Sequence, residues 1–238
     1  IAAAQEVEYA SSLGIDTVVT DHHMPSGELP KACAVVDLHR EDCKSRFKNL
    51  SGVGVAFKLI MALEGEYCDT TTLLENYSDL LSIGTIGDVV ELKNENRVFV
   101  KHGLESITNT DRPGLQALIK DSGLTGKAIS STNVSFTIVP RINAAGRLGL
   151  SEKSVSLLLT EDYEEADEIS SQLCCDNSER QEIERDILEK IDEIIRRKPS
   201  LVNDKIIVID GENWHQGVIG LIAAKVKEAY GKPAIVIS

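Results

Sequence analysis

IDTVVT, residues 15–20, is a β-branched run that leads directly into Asp21, His22 and His23. The run is too short for a helix and is rich in residues that favour strands, so it predicts a buried strand. Polar residues that follow such a strand lie at the carboxyl edge of the sheet, where open α/β sheets bind their ligands. This stretch therefore predicts the fold class and the position of a functional site together.

The neighbouring segments follow the order expected of a parallel α/β sheet. Residues 2–13 have a helical pattern that is closed by Gly14, and ACAVVDL at 32–38 predicts a second strand. Helix, strand, loop and strand in this order favour a parallel pairing. Further helical patterns cover residues 52–65, the first part of 71–92, and several short stretches between 96 and 160.

A long charged segment divides the chain. Residues 163–197 carry apolar residues at three- to four-residue steps, which predicts a helix with one narrow apolar stripe. A second α/β unit follows, with a strand at 205–210, a helix at 218–231 and a strand at 233–238. We therefore predict an α/β domain over 1–160, a connector helix over 161–199 and the start of a second α/β domain over 200–238.

Composition and charge exclude several classes of protein. The chain has 238 residues, 42% of them hydrophobic and 26% charged, and a net charge of −13. This negative charge argues against a protein that coats nucleic acid non-specifically, but it does not exclude a local basic groove. No apolar run approaches the roughly 18 residues that a membrane helix needs. Five cysteines without a C-x-x-C pair fit a reducing compartment, so we predict a cytoplasmic protein with no membrane partner.

The first candidate site is Asp21-His22-His23, and Asp88, which follows Gly87, is a separate second candidate. Imidazole and carboxylate groups are good ligands for Mn²⁺, Zn²⁺ or Fe²⁺. Adjacent residues cannot all face one ion, so one histidine would bind the metal, the other would face the substrate, and Asp21 would orient an imidazole. The alternatives are a solvated polar loop at residues 21–23 and a simple turn or cap residue at Asp88, which follows a glycine.

Two further motifs carry residues suited to phosphate. VPRINAAGRLG at 139–149 places Arg141 and Arg147 around Asn143, and small residues there let the backbone approach a phosphate closely. GENWHQG at 211–217 is a polar loop with His215 that opens a helix, and helix N-termini attract anions. A helix start with surface arginines and a packed structural turn are the respective alternatives.

These motifs together resemble one family. TDHHMP (20–25), LSGVGVAFKL (50–59), GTIGDVVEL (84–92), PRINAAGRLG (140–149) and NWHQGVIG (213–220) are similar, in order and spacing, to the RecJ branch of the DHH phosphoesterases. The resemblance covers essentially the whole chain. It implies a parallel-sheet DHH domain that a long helix joins to the start of a DHH-associated domain.

The resemblance implies a metal-dependent 5′→3′ exonuclease that hydrolyses single-stranded DNA in recombination and repair. Mn²⁺ or Mg²⁺ would form a two-metal site with His22 and Asp88 among the ligands. His23 would face the scissile phosphate, and Asp21 would support the cluster. The residues implied to contact the nucleic-acid backbone are Arg141, Asn143, Arg147 and, in the DHH-associated domain, His215.

The chain departs from the family pattern at both ends. The acidic motifs expected before the DHH motif and the C-terminal GGH-type motif are absent, so we expect an internal fragment with little or no activity by itself. Two other functions stay open: a DHH phosphoesterase that acts on short oligonucleotides or cyclic dinucleotides, and a catalytically silent scaffold. The acidic helix over 163–197 is either a surface for replication or repair proteins or a solvated connector.

Overall fold

The computed structural model describes all 238 residues and divides them into two compact units. Unit 1 comprises residues 1–111 and 126–139, and unit 2 comprises residues 112–125 and 140–238. Each unit contains one two-stranded parallel sheet. The limits of the two units do not coincide with the predicted domains. They do not test the predicted domain boundaries, which stay a prediction.

The chain forms ten α-helices and four strands. The helices are α1 (Ala4–Ser12), α2 (Gly52–Glu64), α3 (Thr70–Gly87), α4 (Asn94–Thr108), α5 (Pro113–Asp121), α6 (Ser131–Asn133), α7 (Val139–Arg147), α8 (Ser151–Leu159), α9 (Tyr163–Arg197) and α10 (Gln216–Tyr230). The strands are β1 (Val18–Asp21), β2 (Ala34–Asp37), β3 (Ile207–Asp210) and β4 (Ala234–Ile237). A π-helical turn (Val134–Ile138) joins α6 to α7, and a 3-10 helix (Pro199–Val202) follows α9. No helix combines the length and apolar character that a membrane crossing needs.

The sheet of unit 1 places the Asp-His-His motif at its carboxyl edge. β1 pairs with β2 in parallel, from Val18 opposite Ala34 to Asp21 opposite Asp37. The expected buried strand is wrong in one respect, because β1 alternates between exposed and half-buried residues and Val18 is 57% exposed. The physical reason is that α2 covers one face of this short sheet and leaves the other face open.

The helices of unit 1 pack around an apolar cluster that includes Leu73, Leu81 and Phe99. Two of these helices have a side-chain N-cap. Ser51 caps α2 and Asp69 caps α3, because their side-chain oxygens accept hydrogen bonds from backbone N–H groups of the first turn. The π-helical turn has a local cause. Pro140 has no N–H, so the regular bond to the carbonyl four residues earlier cannot form.

The long helix α9 confirms the predicted bounds of 163–197. Asp162 caps its first turn, and Pro199 follows its last residues. Within unit 2, the helices α5, α8 and α10 pack against α9. Its Glu184 is buried but lies 2.7 Å from the Arg180 guanidinium and also contacts the Lys225 ammonium of α10.

The second α/β segment forms as predicted in outline. β3 and β4 pair in parallel, and α10 connects them along the chain. The core of this segment packs against the apolar stripe of α9 and includes Ile207, Ile209, Val218 and Ile222. α10 begins two residues before the predicted position, because His215 serves as its N-cap. This cap is hard to predict, since Ser, Thr, Asp and Asn are the favoured residues there.

Candidate active site

Asp21 organises the loop that follows β1. Its Oδ1 accepts hydrogen bonds from the backbone N–H groups of His22 at 2.7 Å and His23 at 3.1 Å. The same oxygen lies 2.7 Å from the Nδ1 of His23. One carboxylate therefore fixes the backbone of the motif and one of its two imidazole rings.

The pKa of Asp21 reflects these contacts. Burial by itself raises the pKa of this carboxyl group. Hydrogen bonds from the His23 ring and from the backbone N–H groups of residues 22 and 23 act in the opposite direction and lower the pKa of Asp21. Asp21 is therefore an anion at neutral pH and supplies a fixed negative charge.

His22 meets Asp88, which lies far away in the sequence. The Nδ1 of His22 is 3.2 Å from the Oδ2 of Asp88, and both side chains are partly buried, with 18% and 34% exposed. An imidazole nitrogen without a proton and a carboxylate oxygen both present lone pairs, which repel each other. The contact between His22 Nδ1 and Asp88 Oδ2 is therefore favourable only when a proton or a cation lies between them. This contact joins the two residues that the family resemblance implies as metal ligands, and their role stays a prediction.

The backbone around Asp88 is locally unfavourable. Asp88 is the C-cap of α3, where the negative end of the helix dipole disfavours a carboxylate. The next residue, Val89, has φ = 57°, a left-handed conformation that a β-branched residue rarely adopts. Such local costs cluster at functional sites, because another requirement fixes the conformation there.

The donor set fits a divalent cation. Asp21, His22 and His23 each offer a ligand atom, and these atoms lie within 4.8 Å of one another. Asp88 extends the cluster through its contact with His22. Mixed carboxylate and imidazole groups suit Mn²⁺, and carboxylates also suit Mg²⁺.

Gly52 was not identified as a site residue from the sequence, but it limits the position of His22. A Cβ added to Gly52 would lie 3.3 Å from the Cδ2 of His22, which is tighter than ordinary contact. Gly52 is the first residue of α2, so the start of this helix packs directly against the imidazole ring. The signal that could have revealed it is the small residue in LSGVGVAFKL, which carried the family resemblance but no site assignment.

Unit 2 holds the four residues predicted to contact phosphate. Arg141, Asn143 and Arg147 lie on α7, and His215 precedes α10. α7 and α10 meet at Gly217, where an added Cβ would lie 2.0 Å from the carbonyl oxygen of Arg147 and 3.2 Å from the Cε1 of His215. The structure therefore brings Arg147 and His215 together within one unit.

The contacts at this junction define the available donors. The Nη1 of Arg147 donates to the carbonyl of Gly217 at 3.3 Å, and the remaining guanidinium N–H groups can reach other acceptors. The Nδ1 of His215 accepts from the N–H of Gly217 at 3.2 Å. This bond selects a neutral tautomer whose proton lies on Nε2, on an exposed ring. The neighbouring Trp214 is buried in the core and His215 caps α10, so the packed-turn alternative stays open for this loop.

Comparison with known proteins gives a consistent result. Residues 1–85 match the model of the DHH family, N-terminal domain. The chain is 39% identical over 237 residues to the single-stranded-DNA-specific exonuclease RecJ of Bacillus subtilis, covering 100% of this chain and 29% of that protein. It is 35% identical to the RecJ of Escherichia coli, covering 96% of this chain and 42% of that protein. The chain thus spans less than half the length of these relatives.

Solved structures agree with the sequence relatives. A crystal structure of RecJ in complex with Mn²⁺ from Thermus thermophilus matches with a TM-score of 0.83 at 35% identity, covering 98% of this chain and 34% of that one. A second crystal structure, of exonuclease RecJ bound to manganese, matches with a TM-score of 0.82 at 35% identity, covering 100% of this chain and 58% of that one. These likenesses confirm the predicted α/β fold.

Proposed function

We propose that this chain supplies part of the active site of a metal-dependent exonuclease, since residues 1–85 match the DHH family model and the whole chain is similar to RecJ proteins. The observation that carries the proposal is the 3.2 Å approach of His22 Nδ1 to Asp88 Oδ2, beside Asp21 and His23, at the carboxyl end of a parallel strand. The substrate is single-stranded DNA, hydrolysed from the 5′ end, as in recombination and repair. The protein acts in the cytoplasm, where replication or repair proteins are its partners.

The residues of unit 1 have separate tasks in this proposal. His22 and Asp88 hold Mn²⁺ or Mg²⁺, as the resemblance implies and the donor set permits. When bound, such an ion would supply Lewis-acid chemistry, which would activate water at neutral pH and offset charge on phosphate oxygens. Asp21 orients the His23 ring through its 2.7 Å contact. His23, whose side chain is 71% exposed, is free to face the scissile phosphate.

The residues of unit 2 hold the strand without reading its sequence. Arg141 and Arg147 offer guanidinium groups to phosphate oxygens, and Asn143 offers an amide. The tautomer of His215 leaves Nε2–H as a donor on an exposed ring at the start of α10, where the helix dipole favours an anion. Aromatic residues make up 4% of the chain, so base stacking contributes little within it.

Substrate length tests the proposed activity against the alternatives. The full-length protein should degrade long single strands with Mn²⁺ at least as efficiently as short oligonucleotides, measured as nucleotide release over a series of lengths. Efficient cleavage restricted to dinucleotides or very short oligonucleotides would favour the oligonucleotide phosphoesterase. Absence of cleavage at every length, with the protein folded, would favour the silent scaffold.

Replacement of Arg147 by Ala should weaken binding of single-stranded DNA about tenfold, equally for all sequences. A charged hydrogen bond to phosphate is worth about 1.5 kcal/mol, which corresponds to that factor. The slope of log Kd against log salt should also fall by about 0.7, because one phosphate contact is lost. Titration of a labelled strand at several salt concentrations measures both quantities.

Two matched variants control this measurement. Arg147→Lys retains the charge and should retain the salt slope, although the hydrogen bond to Gly217 is lost. Arg185→Ala removes an exposed arginine of α9 and should change neither quantity. An unchanged salt slope in Arg147→Ala would show that Arg147 serves the α7–α10 junction rather than the nucleic acid.

A further inference from the structure

A buried pair of hydroxyl groups joins two helices of unit 1. The Oγ of Ser51 is 3.1 Å from the Oγ1 of Thr85, and the two residues are 1% and 0% exposed. Ser51 also caps α2, since its Oγ accepts from the N–H of Gly54 at 3.2 Å. Thr85 lies in the last turn of α3. The pair therefore ties the first residues of one helix to the end of another.

Each residue of this hydroxyl pair is connected through its helix to one of the two proposed metal ligands, His22 and Asp88. Gly52 follows Ser51 and lies against the ring of His22. At the other end, the α3 turn that contains Thr85 also fixes Asp88, whose N–H donates to the carbonyl of Gly84 at 3.0 Å. The two helices also pack closely here, since a Cβ on Gly84 would lie 2.6 Å from the Cγ1 of Val53.

We infer that Ser51 and Thr85 are positioning residues that set the distance between His22 Nδ1 and Asp88 Oδ2, and thereby the affinity for the divalent cation. The inference rests on the proposed function, in which these two groups hold the metal. The hydroxyl pair touches neither the ion nor the substrate. It acts through the ends of α2 and α3, as groups behind metal ligands commonly do.

The size of the effect follows from the role of such supporting groups. Their replacement typically costs 10- to 100-fold in metal affinity, because the ligands keep their chemistry but lose their fixed geometry. Thr85→Val is the sharpest variant. It keeps the shape of the side chain and leaves the bond from Gly54 to Ser51 in place, so it removes the tie but retains the helix cap.

Mn²⁺ binding to the full-length protein without DNA tests the inference. We expect Thr85→Val to raise the Kd for Mn²⁺ about tenfold, measured by electron paramagnetic resonance of the free ion. Thr85→Ser keeps the hydroxyl group and should stay within about twofold of the wild type. At saturating Mn²⁺ the nuclease rate of Thr85→Val should recover, which a general loss of structure would not allow.

A second variant tests the same distance between His22 and Asp88 by a change beside the His22 ring. Gly52→Ala leaves both hydroxyl groups in place but pushes on the His22 ring, and it should also weaken Mn²⁺ binding. Gly220→Ala, a helical glycine with open space around its Cβ position, should leave Mn²⁺ binding unchanged.

The outcomes separate this inference from the proposed function. A wild-type Kd in Thr85→Val, or equal losses in Thr85→Val and Thr85→Ser, would overturn the positioning role and leave the proposed function standing. A wild-type protein that does not bind Mn²⁺ would overturn the proposed function and the inference with it. If Thr85→Val does not fold, an unchanged Kd in Gly52→Ala overturns the inference and a raised Kd supports it.

Discussion

Replacement of Asp88 by Asn should lower the rate of nucleotide release from single-stranded DNA by about 10³-fold or more. A bound metal ion is worth several kcal/mol of transition-state stabilisation, and each 1.36 kcal/mol corresponds to a factor of ten. Asn keeps the size of the side chain but removes the charge that faces His22 Nδ1 at 3.2 Å. The full-length protein with Mn²⁺ is the material for this assay.

The same substitution should leave the protein as stable as the wild type or slightly more stable. Asp88 lies at the C-terminus of α3, where a carboxylate costs about 0.3–1 kcal/mol relative to a neutral group. Urea unfolding of the metal-free protein measures this term. Loss of activity with unchanged or increased stability identifies a residue that is kept for chemistry rather than for folding.

Asp192→Asn is the matched control, because it makes the same chemical change at an exposed position of α9. Its nuclease rate should equal that of the wild type. If Asp88→Asn kept more than one-tenth of the wild-type rate, Asp88 would be a helix-end residue without a role in metal binding, as the turn-or-cap alternative holds.

The second large effect concerns stability. Replacement of Gly103 by Ala should lower the free energy of unfolding by about 3 kcal/mol. A Cβ at this position of α4 would lie 2.1 Å from the carbonyl oxygen of Ser78 and 2.2 Å from the Cβ of Ser82, both on α3. Neither the helix backbone nor a short serine side chain can move far, so the two helices must separate.

The sign of this effect is informative. Glycine to alanine inside a helix ordinarily stabilises a protein by up to about 1 kcal/mol. Gly220→Ala in α10 should show this ordinary gain, since no atom lies within 4 Å of its Cβ position. Urea denaturation of both variants measures the contrast. A Gly103→Ala protein as stable as Gly220→Ala would show that α3 and α4 do not pack at the observed distance.

The sequence predicts best where one local pattern decides the structure. The helix over 163–197 is found at Tyr163–Arg197, because its apolar stripe, its Asp162 cap and Pro199 all specify the same bounds. The strand predicted at 15–20 begins three residues later and ends one residue later, at Val18–Asp21, where it pairs with β2. Its exposure depends on what covers the sheet, which no local pattern contains.

The candidate site was predictable by residue type but not by contact. Asp21, His22 and His23 are adjacent in the chain, so their chemistry is visible directly. Asp88 was recognisable by the family resemblance alone, because its approach to His22 depends on how α3 ends beside β1. Ser51 and Thr85 lie inside two motifs of the family resemblance, but their contact was not predictable, since buried hydroxyl pairs between helices have no sequence pattern.

The most direct test of the central claim is the location of Mn²⁺ by anomalous X-ray scattering from crystals of the full-length protein. The account predicts an anomalous peak within bonding distance of the His22 imidazole and the Asp88 carboxylate. Density for Mn²⁺ elsewhere in the protein, or no peak beside these two residues at saturating Mn²⁺, would contradict the assignment of this cluster as the metal centre.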